Sequence, residues 1–345
     1  MTMQNANTPL SFETVQEMSA AYDAVRSRIG LTDISDWAKL KVTGYDAREF
    51  LDRVLTGNMQ QLGENEILHT MALDADGNFL TDIQVLGGFE DFILLTPADR
   101  ADALAAAIKP DADEEVEVVD LGRDYCLIRV DGPESADLPM AILGGAVAGM
   151  RIMAFAEADL GDATVTVGRI GTTGEYGYFF LTDASSRDTL LAAIRAEAPD
   201  VVDCTADLHR LLQLETRGFN ASADRPGGEH PLEAGLHWMV DFQKPEFVGK
   251  DGFFARAKEA PHHMVCIALD ETRVVPETKT QILDGDGNDV GYVANAAWSP
   301  TLETSICLAY LKRDMAAVGL PVSIAGQSGR VVSAPFFITK SNSAR

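Results

Sequence analysis

Apolar and polar positions recur with readable periods along most of this chain. Val15, Met18, Ala21, Tyr22, Val25 and Ile29 recur at helical spacing, which predicts a helix over 12–29. Residues 1–10 show no period and read as frayed. Residues 37–43 alternate as a strand up to the turn Gly44-Tyr45-Asp46, and 47–54 return to helical spacing with Phe50, Leu51 and Val54 on one face. Strands are predicted at 67–73, 79–86 and 92–96, and a helix at 99–108 stops at Pro110. The acid-rich stretch 111–120 reads as a solvated loop running into an edge strand, because like charges prefer water. Further strands are expected at 126–130, 151–155 and 163–168, helical segments at 133–148, 187–196 and 206–214, and a loop at 222–229. From Met264 onward the pattern changes to short strands at 264–268, 280–283, 290–296, 305–310, 321–325 and 330–338. That spacing predicts a separate all-β barrel or small sandwich. The division falls at 1–258 and 259–345.

One hairpin changes the picture. Asp74-Ala75-Asp76-Gly77-Asn78 has the composition of a tight turn between the strands 67–73 and 79–86. Beyond it Leu80, Asp82, Gln84 and Leu86 share a face, so Asp82 stands on a half-apolar surface. Burying an unpaired carboxylate is costly. Either Asp82 sits solvated on an edge strand, or it has a partner and a chemical task.

Bulk properties narrow the partners. The chain has 345 residues, 46% of them hydrophobic, and a formal net charge of −25. Such a charge excludes generic nucleic-acid binding and works against anionic membranes and acidic protein partners. A small cationic or neutral substrate fits better. The four cysteines (Cys126, Cys204, Cys266 and Cys307) are far apart and form no CxxC, as expected of reduced thiols in a cytoplasmic protein. The N-terminus lacks the basic and apolar segments of a signal peptide, and the weakly polar run 138–150 is too short to span a bilayer. The acidic turns at 74–78 and 284–289 lack the closing acid of an EF-hand and read as hairpin turns, and His262-His263 has no carboxylate at ligand spacing, so no metal is expected. The glycines 168, 171, 174 and 177 lie between predicted strands and do not form a dinucleotide fingerprint. They make a tight turn or let backbone approach a ligand.

An ordered set of short segments decides the class. Ala24-Val25-Arg26 with Gly30-Leu31-Thr32-Asp33-Ile34-Ser35 comes first, then Asp46-Ala47-Arg48-Glu49-Phe50-Leu51, then Asp76-Gly77 to Asp82-Ile83. Thr173-Gly174-Glu175-Tyr176-Gly177-Tyr178, Leu214-Glu215, Pro231-Leu232-Glu233-Ala234-Gly235, Phe247-Val248-Gly249-Lys250 and Trp298-Ser299-Pro300-Thr301-Leu302 follow in order. Together they resemble the aminomethyltransferase family: the T-protein of the glycine cleavage system and the folate-dependent demethylases. The resemblance implies an α+β fold with three subdomains arranged as a cloverleaf ring, the first discontinuous, and a C-terminal β-barrel. It also implies a one-carbon transferase or demethylase using tetrahydrofolate, with Asp82 as the catalytic carboxylate. The cofactor-binding positions it points to are Thr172, Glu175, Tyr178, Phe179 and Arg210, and Trp37 is a candidate for stacking on a cationic or aromatic substrate or for filling core.

The chain also departs from that family. Phe179 stands where the family has its pterin-gripping Glu, Thr172 where it has a Tyr, Ile93 where it has another Tyr, and His209 where it has an Arg, with Arg210 adjacent. Losing a charged anchor to Phe removes a strong, specific contact. An alternative is therefore a paralogue that has lost ordinary folate binding and uses Asp82 on a different small ligand. The region 246–254 lacks the cysteine motif of the iron–sulfur maintenance relatives, and a lipoyl carrier, being acidic, would be repelled by a −25 chain.

Overall fold

The structure, a computed structural model, describes residues 8–343. Eleven strands form one sheet: β1 (Gly30–Asp33), β2 (Ala38–Thr43), β3 (Glu66–Leu73), β4 (Phe79–Gly87), β5 (Asp91–Thr96), β6 (Glu117–Asp120), β7 (Tyr125–Asp131), β8 (Ala154–Leu160), β9 (Ala163–Arg169), β10 (Gly177–Asp183) and β11 (Val202–Asp203). Their spatial order is β11-β1-β7-β10-β9-β8-β3-β4-β5-β2-β6, so the acid-rich segment does become an edge strand. Six more strands, β12 (His262–Leu269), β13 (Gln281–Leu283), β14 (Asp289–Ser299), β15 (Thr304–Lys312), β16 (Pro321–Ile324) and β17 (Gln327–Val332), close into a barrel.

Strand alternation gives the sheet two kinds of face. Val42, Ile83, Val85, Phe92 and Leu94 pack with the helix Ala47–Val54 into one core, and Ile128, Val130, Val165, Val167 and Phe180 pack with the helix Arg187–Glu197 into another. The other faces of the same strands meet each other. Ile67, Leu86 and Leu95 from β3–β5 share a buried cluster with Leu127, Phe179 and Leu181 from β7 and β10, and Trp37 and Ile93 lie against it. Asp82 and Gln84 continue the β4 side of this inner surface, and Arg129 and Asp131 continue the β7 side, because residues two apart share a face.

Several local expectations need correcting. The helix predicted at 12–29 is two, Phe12–Glu17 and Ser19–Ser27, broken at Met18. Residues 1–7 lie outside the described chain, but Leu10 is not frayed: it is buried and bridges Ala297 of the barrel. The strand expected at 151–155 starts at Ala154 and runs to Leu160, pairing with β9 through a turn at Gly161. Its alternation of Ala with Glu157 and Asp159 carries too little hydrophobic contrast to read from sequence. The last barrel strand ends at Val332 rather than 338, just before Pro335, which cannot donate to a ladder. Within 222–229, Asn220 caps a helical turn, Ala221–Asp224. No helix among the described residues is long and apolar enough to cross a membrane.

Candidate functional site

The β3–β4 hairpin sets Met71 opposite Asp82 and His69 opposite Gln84. Residues 69, 71, 82 and 84 therefore share one face, and the diagonal pair His69–Asp82 falls within reach. Asp82 is only 9% exposed, which rules out a solvated edge position. Its Oδ2 lies 2.8 Å from His69 Nε2. An ionised carboxylate accepts, so this contact places the imidazole proton on Nε2. The other carboxylate oxygen, Oδ1, is buried without a partner among the described residues, as is Oε1 of neighbouring Gln84. Behind the carboxylate the backbone is pinned: the hydroxyls of Thr96 and Thr81 both donate to the Asp82 carbonyl, at 2.7 and 3.0 Å.

Trp238 completes this corner. Its ring meets His69 edge-on at 5.1 Å and is 58% exposed. The turn that carries it is tied down where Thr56 and Thr70 donate to the Met239 carbonyl, at 2.7 and 3.2 Å. Neither His69 nor Trp238 was anticipated. The signal for His69 was present, since a hairpin about Gly77 sets it beside Asp82; nothing local to Trp238 announces a contact formed 169 residues away.

A second cluster gathers positions where the chain departs from its family. Phe179 on β10 pairs with Arg129 on β7 and with Gly168 on β9. Its ring lies where a Cβ on Gly168 would stand, 2.2 Å away, so this glycine makes room for Phe179. The Arg129 guanidinium is fully buried. Its Nη1 donates to Thr172 Oγ1 (3.1 Å) and to His209 Nε2 (3.2 Å), and Trp37 lies over it at 5.6 Å. Thr172 also touches His209 Nε2 at 2.9 Å. An imidazole nitrogen that accepts from a guanidinium carries no proton, and burial together with the Arg129 charge lowers the His209 pKa to about 3.

The remaining candidates lie elsewhere. Tyr178 points opposite to Phe179, into the core beneath the helix Arg187–Glu197, so the expectation that both meet one ligand is corrected by strand alternation. Glu175 is buried in an ion pair with Arg26 (3.3 Å) and accepts from Ser341 Oγ at 2.6 Å. Arg210 donates to the Thr8 carbonyl (2.8 Å) and pairs with Asp207 (3.5 Å). Thus Thr172, Phe179 and Trp37 converge around Arg129, whereas Glu175, Tyr178 and Arg210 are held in separate structural contacts.

An eleven-stranded α+β region joined to a six-stranded barrel is a T-protein fold. The glycine cleavage system aminomethyltransferase T of Bartonella henselae matches it with a TM-score of 0.83, over 96% of this chain and 92% of that one, at 22% identity. The sequence matches the GCVT N-terminal domain over residues 1–244 and the glycine cleavage T-protein C-terminal barrel domain over 262–337. Aminomethyltransferases from Halothermothrix orenii (27% identical, covering 95% of this chain and 93% of theirs) and Streptomyces avermitilis (31%, 91% and 88%) are similar along nearly their whole length. The chain belongs to the aminomethyltransferase (T-protein) family, as a divergent member and a relative of one-carbon transferases.

Proposed function

We propose that the protein is a one-carbon transferase or demethylase acting on a small molecule, with Asp82 as its catalytic carboxylate. The observation that carries this reading is the buried Asp82 with one oxygen held by His69 and the other, Oδ1, left without a partner. Folding leaves such an atom desolvated only at a cost of about 1–3 kcal/mol, which a ligand group can recover. A carboxylate so placed accepts a proton from the atom that takes up the one-carbon unit, or pairs with a cationic nitrogen or sulfur that gives it up. His69 and the two threonines fix its orientation, and holding the reacting atoms at attack distance supplies much of the acceleration.

Tetrahydrofolate, which the family resemblance implies, does not fit the residues present. Phe179 is apolar and packed on Gly168, Thr172 and His209 are engaged by Arg129, and Tyr178 faces another core. These placements favour the second reading, in which the scaffold and Asp82 serve a ligand other than ordinary folate.

Both readings meet one experiment. The protein is incubated with methyl-¹³C N-, S- and O-methyl donors, with and without tetrahydrofolate, and label transfer is followed by NMR. Asp82→Asn keeps the shape and the His69 contact, and is expected to lower transfer by about 10²–10⁴-fold while the melting temperature stays near wild type. Undiminished transfer in the variant would remove Asp82 from the chemistry. A melting shift with millimolar tetrahydrofolate would overturn the second reading.

A further inference from the structure

Arg129 presents a buried charge with no carboxylate in direct contact. It is 1% exposed, and no Asp or Glu is ion-paired with it among the described residues. The field of Asp131, two residues along the same face, reaches it without a direct contact, and Asp131 Oδ1 itself accepts from Thr173 at 3.0 Å. The guanidinium spends only Nη1 on protein partners, and both of these, Thr172 and His209, are neutral. The Nε–Nη2 edge makes no hydrogen bond among the described residues, and Nε is fully buried. That edge is the planar fork that grips a carboxylate with two parallel hydrogen bonds.

Burying an unpaired ion costs several kcal/mol, and a neutral acceptor or an aromatic ring offsets only part of it. The flanking groups suit a flat apolar body. Trp37 covers the guanidinium, Phe179 sits beside it on the adjoining strand, and Trp37, Thr172 and His209 are themselves partly exposed, so they are the side chains that would give way to admit a ligand. We infer that Arg129, with Trp37, Thr172 and His209, forms a binding site for a small organic carboxylate, its anionic group on the Nε–Nη2 edge and its planar body against Trp37. A local cation of this kind offsets the repulsion that a chain of net charge −25 exerts on an anionic ligand. The inference concerns binding and stands apart from the role of Asp82, since it is read without turnover.

The test uses benzoate and its uncharged isostere benzamide. The full-length protein is titrated with each while tryptophan fluorescence and melting temperature are followed. Benzoate is expected to bind saturably and benzamide at least about tenfold more weakly. Arg129→Met is expected to lose the benzoate response, while its ligand-free melting temperature stays level or rises, because an apolar group replaces a buried charge that has no direct ion pair. Arg129→Lys keeps the charge but not the fork, and should fold normally and bind benzoate more weakly than wild type. No saturable benzoate binding, equal responses to benzoate and benzamide, or an undiminished response in Arg129→Met would each overturn the assignment. So would a ligand-free Arg129→Met protein melting well below wild type, since that would make the arginine a structural strut.

Discussion

His209 sits between a hydroxyl and a guanidinium, and only its neutral form fits there. Burial and the neighbouring Arg129 charge lower its pKa from 6.5 to about 3. The unfolded chain therefore binds a proton that the folded chain refuses between these two values. Stability contributed by the neutral ring is complete above about pH 6.5 and is lost as pH falls through the window toward 3. Urea denaturation at about pH 7 and about pH 4.5 should show wild type losing more stability on acidification than His209→Gln, which has no such proton to exclude. Equal losses would place the ring outside this linkage. At the same scale, the sequence identified Thr172, Phe179 and His209 as departures from family pattern but gave no reason to group them. The residue that groups them, Arg129, belongs to no motif, and a lone arginine in a predicted strand reads as an outward charge.

At the scale of elements, the hairpin that carries Asp82 is held from outside. Its turn backs onto the start of the helix Lys250–Glu259 so closely that a Cβ on Gly77 would lie 2.1 Å from the Phe253 backbone nitrogen. A Cβ on Gly249 would lie 2.2 Å from the Asp74 carbonyl oxygen. Both glycines also have positive φ, at 79° and 77°. Arg256 clasps the turn from the same helix, donating to the Gly77 carbonyl at 3.1 Å and to the Asn78 side chain. In sequence the two segments read as a hairpin turn and as a family motif, with Gly77 and Gly249 172 positions apart, and in the fold they dock on each other. Gly77→Ala should destabilise by on the order of 3 kcal/mol, combining strain with a backbone clash. The same substitution should depress any Asp82-dependent transfer, because β4 begins two residues later. A variant with wild-type melting would show that the turn is not docked as described.

For the whole molecule, Glu215 is the joint. It is fully buried at the end of the helix Ala206–Thr216 and accepts from Tyr22 (2.9 Å), Arg26 (2.7 Å) and Ser299 (2.6 Å). Tyr22 in turn meets Thr301, and Arg26 reaches Glu175, whose other oxygen takes Ser341. One carboxylate thus couples the N-terminal helices, the glycine-rich connection, the barrel and the C-terminal turn. Glu233 makes a second joint, accepting from the backbone N–H groups of His230 and His262 at 3.0 and 2.9 Å. Removing one partner of a buried ion pair costs about 3–5 kcal/mol, so Glu215→Ala should lower the denaturation midpoint markedly. Thermal unfolding followed by both near- and far-ultraviolet circular dichroism would check it. A midpoint near wild type would show that the barrel is held without this network.

By itself the sequence determined what depends on neighbours along the chain: strand and helix periods, the acidic edge strand, the change of pattern at the barrel, and the hairpin turn before Asp82. It also determined the family, because an ordered series of short motifs survives divergence. Only the tertiary structure decided what those motifs do. Glu215, Glu233 and Gly249 are joints between elements. Asp82 changed from an ambiguous carboxylate to a buried one, paired with His69 and open at Oδ1. Phe179, a missing anchor in the sequence, stands in the fold beside a buried arginine that has no direct ion pair. The physical reason is the same in each case: burial and charge pairing arise between faces brought together by the sheet, and a pattern along one strand does not specify what the opposite strand presents.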